Sequence, residues 1–309
     1  MPGHGLLPAA QWTTLPPVRR GPLYMIFATL AFTVMVGVVK VAREEMSALE
    51  LVCWRGATSI CLTFFLARRV GFAVRRPGLM LSRILFGFGA MTCFFTAAKG
   101  LALADLALLS KLQPILVALL APLVLGAGER GGWVVAVALV LGVSGTMLLL
   151  APELALGSGF AWWALGGTAL SAGAHLSVRA LSASHRPETI VFWFQVGGSL
   201  LAALLLLGTM GRIPVPPLHL WPYVIGCGVA ATVGQVLMTR AYAEDPAPLV
   251  AAASYVGPLW ALGGDLLVFG IVPDWSLLIG GALVLTAGGI LLTAKSGAAA
   301  GAYGSPGRA

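Results

Sequence analysis

Residues 98–126 read AKGLALADLALLSKLQPILVALLAPLVLG, an apolar stretch broken only by Lys99, Asp105, Lys111, Gln113 and a few small or turn-forming residues. Together with the residues before it, the stretch makes residues 84–125 nearly continuous apolar sequence. One bilayer-crossing helix uses about 20 residues, so this is too long for one span. A tight turn near Gly100 is therefore expected to separate a third span from a fourth. Inside the fourth, Lys111 lies three residues before Pro114, which places a cation beside a residue that cannot donate a backbone hydrogen bond.

The rest of the chain repeats this pattern. Of its 309 residues, 59% are hydrophobic and 10% charged, and the mean hydropathy is +0.94. A soluble domain has about 45–50% apolar and about 25% charged residues. A soluble enzyme, a nucleic-acid binder and a disordered chain are excluded on that ground. Apolar segments run over 22–41, 49–67, 80–98, 104–125, 132–150, 159–180, 189–208, 219–240, 247–271 and 275–294. Continuous runs such as 200–207 lack the two-residue alternation of a membrane β-barrel. The reading is an all-α membrane protein of ten transmembrane helices. Residues 1–21 form a loose cytoplasmic tail, and the Gly/Ala/Ser-rich residues 295–309 a disordered one.

Lys and Arg set the orientation. With the N-terminus inside, Arg19, Arg20, Arg68, Arg69, Arg75, Arg76, Arg83, Arg130, Arg179, Arg186, Arg240, Lys295 and Arg308 fall on the inner side. Lys40, Arg43, Lys99 and Arg212 fall outside, and Arg55 and Lys111 remain within the membrane. The positive-inside rule then makes both termini cytoplasmic. Cys53, Cys61, Cys93 and Cys227 lie in apolar runs without metal or disulfide spacing and read as small buried hydrophobes.

The two halves match in order. At an offset of 139, Val39-Lys40 meets Val178-Arg179, Trp54 meets Trp193, and Gly87-x-Gly89 meets Gly226-x-Gly228. At an offset of 144, Ser110 meets Ser254, Pro114 meets Pro258 and Gly145 meets Gly289. A five-helix repeat over 22–150 and another over 159–294 follow. An odd number of spans per repeat inverts the second in the membrane relative to the first, the arrangement of many secondary transporters.

Arg55, the segment 98–126 with Glu129, and its partner 241–258 (AYAEDPAPLVAAASYVGP) resemble the EamA family of the drug/metabolite transporter superfamily. The likeness covers about residues 22–294. It departs at Gly126-Ala127-Gly128-Glu129, where the family usually has Gly-Glu or Lys-Glu directly. The resemblance implies two five-helix repeats around a central cavity that opens alternately to either side and carries amino acids, other small metabolites or drugs. No GxxxxGK[ST] loop is present, so ATP coupling by this chain is not expected.

Candidate residues follow from what is costly in a bilayer. Arg55 reads as an anion or carboxylate clamp, or as a structural partner of Glu50 or Glu188. Lys111, Gln113 and Pro114 are expected to line a polar cavity opposite Ser254, Tyr255 and Pro258, with Trp260 beside them. The alternative is a Lys111 neutralised by Asp265 or Asp105. Asp265 and His175 are candidates for gating or proton coupling, each with a structural alternative. The aromatic residues Trp54, Trp193 and Phe94-Phe95 either line the cavity or pack. The Gly87/Gly89 and Gly226/Gly228 pairs are expected to let helices approach closely.

The expected function is secondary transport of a small anionic or zwitterionic metabolite, such as an organic acid or amino acid, in the cell (inner) membrane. A multidrug or amine exporter of the same fold is the alternative, and a membrane-embedded lipid-processing enzyme a more distant one. Expected partners are the small-molecule substrate and the lipid bilayer. The chain is taken to act as a monomer or homodimer, without nucleic acid, catalytic residues, metal or cofactor.

Overall fold

A computed structural model describes residues 19–101, 109–150, 159–257, 259–260 and 275–293. All regular structure among them is helical. Helix α1 spans Arg20–Ala42, α2 Ala48–Ala67, α3 Pro77–Ala97, α4 Leu112–Val124 and α5 Gly132–Leu150. Then come α6 Gly159–Ser182, α7 Pro187–Met210, α8 Trp221–Glu244, α9 Ala247–Ala253 and α10 Trp275–Thr293. Among the described residues, five stretches are long and apolar enough to cross a bilayer: α1, α2, α3, α7, and α8 together with the short turn before it. Both tails lie largely outside the described residues.

Local chemistry explains the starts. Ser47 accepts from the Glu50 backbone N–H while Glu50 reaches back to the Ser47 N–H, a reciprocal cap on α2. Helices α3, α7 and α8 open with Pro at the first or second position, where its missing donor costs nothing. Helix α3 ends at Ala97 and the chain turns over residues 98–101, as the length of the apolar run requires. The bundle is apolar outside: Leu123 is 80% exposed, Val140 66% and Leu285 63%. Such a surface suits lipid rather than water.

Helix pairing is symmetric under exchange of the halves. Helix α1 packs on α8 as α3 packs on α6, and α2–α8 matches α7–α3. Helix α4 meets α6 as α9 meets α1, while α2–α7, α4–α9 and α5–α10 pair equivalent helices with each other. Two five-helix repeats fit this pattern. The Trp54 indole donates to the Pro214 carbonyl at 2.7 Å, and the Trp193 indole to the Phe72 carbonyl at 2.9 Å. Each tryptophan lies in the first two turns of its helix and ties down the loop that follows the other helix. The sequence equivalence of the two residues is thus also a structural one.

Several expectations change. Arg83 is not a loop cation but a buried residue of α3, 2% exposed. Lys111 is not mid-helix: it caps α4 at a turn, after the helical Leu109 and Ser110. Helix α9 is only seven residues long and passes into a single tighter turn over Ser254–Val256. Cys61 is exposed on the outer surface rather than buried. A Cβ on Gly228 would come within 2.0 Å of Thr58 Oγ1, so α8 needs glycine there to meet α2, but Gly226 faces open space.

Candidate functional site

Pro114, the third residue of α4, has no backbone N–H, and the helix begins only after the turn at Lys111. The Lys111 side chain leaves the first repeat and donates to the Ser254 carbonyl at 2.8 Å. In return the Tyr255 hydroxyl donates to the Lys111 carbonyl at 2.8 Å. Lys111 and Tyr255 are 144 positions apart, the same offset that relates Ser110 to Ser254. Two equivalent residues therefore clasp one another where the repeats meet. Tyr255 is buried, 1% exposed. The Trp260 indole N–H is shared by the Ile26 carbonyl, 3.2 Å away, and Thr29 Oγ1, 3.1 Å away.

Gln113 and Tyr242 converge on His175 Nδ1, at 2.5 and 3.1 Å. An amide N–H can only donate, so Nδ1 accepts and the ring proton sits on Nε2. His175 thus holds α6 to α4 and α8. Asp265 and Pro258 lie outside the described residues.

Arg55 is 2% exposed and donates from Nη2 to Gln195 Oε1 at 3.3 Å. Its expected carboxylate partners are engaged elsewhere: Glu50 caps α2, and Glu188 pairs with Arg240 at 2.7 Å. Arg83, one helix away, donates to Gln235 Oε1 at 2.7 Å and lies 3.9 Å from the centre of the Phe194 ring. A cation over an aromatic face is worth about 0.5–2 kcal/mol, depending on desolvation. A Cβ on Gly87 would stand 2.3 Å from Arg83 Nη1 and 2.5 Å from Phe194, so only glycine leaves room for this stacking. Phe194 and Gln195 are consecutive on α7, so one turn of that helix gathers both guanidiniums. Among the described residues, neither Arg55, Arg83 nor Lys111 has a carboxylate within 4.0 Å.

The two ends of the bundle differ. At one end Glu129 accepts from Arg179 Nε and from the Ala247 N–H, each at 2.7 Å, while Arg179 also reaches the Tyr242 carbonyl at 2.8 Å. Arg19 meets Asp245 at 2.9 Å, and Asp245 also takes the Gly21 N–H at 2.9 Å. On the same side the Arg75 N–H donates to His185 Nε2 at 2.8 Å. Burial, reinforced by Arg75 and Arg76, holds the His185 pKa below its ordinary range against the opposing pull of the Leu181 carbonyl. The other end carries a cavity of about 550 Å³ whose lining includes Arg43, Glu45, Glu50, Thr96 and Lys99. Sequence reasoning missed Arg83 because it follows Arg75 and Arg76 closely; its position seven residues into an apolar helix was the available signal.

The chain matches the model of the EamA-like transporter family twice, over residues 19–151 and 158–294. It is 32% identical over 284 residues to the pseudopaline exporter CntI of Pseudomonas aeruginosa, a match covering 91% of this chain and 98% of that protein. It is 29% identical to a riboflavin transporter of Rhizobium johnstonii, over 86% of this chain and 89% of that protein. A solved crystal structure shares the fold with a TM-score of 0.73 at 18% identity, covering 88% of this chain and 96% of its own. These names point to a transporter of small molecules in a membrane rather than to an enzyme. Two family matches, one on each half of the symmetric bundle, make this chain a member of the EamA-like transporter family.

Proposed function

We propose that the protein is a secondary transporter of a small anionic or zwitterionic metabolite, working by alternating access between two inverted five-helix repeats. The repeats comprise residues 22–150 and 159–294, ten spans in all, with both termini cytoplasmic in the cell (inner) membrane. The observation that carries the substrate reading is the burial of Arg55 together with the half-buried Lys111, neither with a carboxylate within 4.0 Å among the described residues. An uncompensated ion costs several kcal/mol in a protein interior, and an anionic group on the substrate would offset that cost. The reciprocal tryptophan bonds support inversion, because each joins the start of one helix to the loop after its equivalent. The difference between the ends is consistent with alternating access: Glu129, Arg179 and Asp245 link the repeats at one end, and the other carries an open depression lined by Arg43, Glu50 and Lys99. The relatives named as a pseudopaline exporter and a riboflavin transporter support small-molecule cargo.

Uptake of labelled organic acids, amino acids and amines into proteoliposomes, with and without a pH gradient, tests the reading. Saturable transport of an acid or amino acid is expected. Transport of amines alone would reject the anionic reading, and the absence of saturable transport across the panel would reject the carrier.

A further inference from the structure

Five buried side-chain nitrogen or oxygen atoms among the described residues have no hydrogen-bond partner, and three are nitrogens at one place: Arg55 Nε, Arg83 Nε and Gln195 Nε2. The Gln195 orientation follows from Arg55, whose Nη2 donates to Oε1 and leaves Nε2 as the free donor. All three atoms are donors, and all are held at Phe194-Gln195 of α7, Gln195 by sequence and the two arginines by contact. A buried donor without an acceptor costs about 1–3 kcal/mol, more when charged. Clustered orphans of one polarity are therefore the imprint of a ligand rich in acceptors. The glutamines supply each guanidinium with one neutral acceptor and no negative charge. Arg55 and Arg83 are each 2% exposed and Gln195 1%, so the three donors are shielded from bulk water.

We infer that Arg55, Arg83 and Gln195 form a dicarboxylate-binding subsite, each guanidinium taking one carboxylate and the Gln195 amide bridging them. This rests on the transporter reading above and deepens it by naming the charge class of the cargo. A single carboxylate leaves one of the two cations uncompensated. Arginine suits the task because its planar fork pairs with carboxylate oxygens in two parallel bonds. Gly87 and Phe194 hold the Arg83 fork in place before the ligand arrives, which lowers the ordering cost of binding.

The full chain, purified in detergent and reconstituted, is tested with succinate and glutarate against their monomethyl esters. The readouts are thermal stabilisation and competition with uptake. The better dicarboxylate is expected to half-saturate at about tenfold lower concentration than its monoester, equivalent to about 1.4 kcal/mol. Arg83→Gln is expected to reduce that ratio to about one, and Arg83→Lys to restore part of it. Folding of each variant is checked by its elution and melting profile, and Arg83→Lys carries the test if Arg83→Gln misfolds. Equal affinities for diacid and monoester in the unmodified protein would overturn the subsite. So would a folded Arg83→Gln variant that keeps the tenfold preference. Saturable transport of monocarboxylates with no diacid preference would sink the subsite and leave the transporter reading standing; transport of amines alone would sink both.

Discussion

Trp54 and Trp193, 139 residues apart, make the same hydrogen bond in opposite halves of the molecule. Each indole N–H donates to a loop carbonyl, Pro214 at 2.7 Å and Phe72 at 2.9 Å. The two loops follow α7 and α2, so each repeat fastens the other at its own end. Removing either bond should cost the same, about 0.5–1.5 kcal/mol. Trp54→Phe and Trp193→Phe are expected to lower the melting temperature by similar amounts, a few degrees each, and the double variant by roughly their sum. Differential scanning fluorimetry in detergent checks both. Strongly unequal shifts would show that the two bonds are not equivalent.

Lys111 and Tyr255 should separate binding from turnover. Lys111→Ala removes the cation and its bond to the Ser254 carbonyl, and is expected to reduce saturable transport about tenfold or more through weaker substrate affinity. Tyr255→Phe removes only the hydroxyl bond to the Lys111 carbonyl and should change the maximal rate more than the half-saturating concentration. Concentration-dependent uptake in proteoliposomes distinguishes them. An unchanged Lys111→Ala curve would remove that lysine from the cavity.

Glu129 ties the first repeat to the second through Arg179 and the Ala247 N–H. Glu129→Ala leaves both donors without their carboxylate, at a cost of about 1–3 kcal/mol, whereas Glu129→Gln can keep the backbone bond. The alanine variant is expected to open this end further. A cysteine introduced by Leu249→Cys, at a position only 5% exposed, should then react faster with a membrane-impermeant maleimide, and the glutamine variant should lie between.

His185 gives one end of the molecule a pH dependence. Its folded pKa is depressed, so its neutral form contributes stability above about pH 6.5, the unperturbed value. That contribution is lost as the pH falls through the folded pKa, when protonation removes the acceptor for the Arg75 N–H. The melting temperature of the natural protein is expected to fall more between pH 7.5 and pH 5 than that of His185→Gln. Parallel pH profiles would exclude the effect.

The duplication was legible because it needs only order and spacing: the offsets that align Trp54 with Trp193 and Ser110 with Ser254 also align helices that pair in space. Polar side chains were legible where a bilayer makes them conspicuous, as with Arg55 and Lys111. Arg83 was hidden by context, since a third arginine soon after Arg75 and Arg76 reads as one more loop charge. Its depth depends on the Phe194 face and the Gln235 acceptor, both far away in sequence. The break at Lys111 was hidden for a different reason: Pro114 announces a missing donor but not that the Lys111 carbonyl takes a hydrogen bond from Tyr255 of the other repeat.

The unpaired nitrogens around Gln195 also bear on the return stroke. A carrier that must swing two guanidiniums paired only with glutamine amides through its closed form climbs a higher barrier empty than loaded. Net efflux into a medium without substrate should then be slow, while unlabelled substrate on the far side should accelerate it. Each 1.4 kcal/mol of added barrier is worth about tenfold in rate. In that regime the protein is expected to run as an exchanger, its direction following the opposing pools of its cargo.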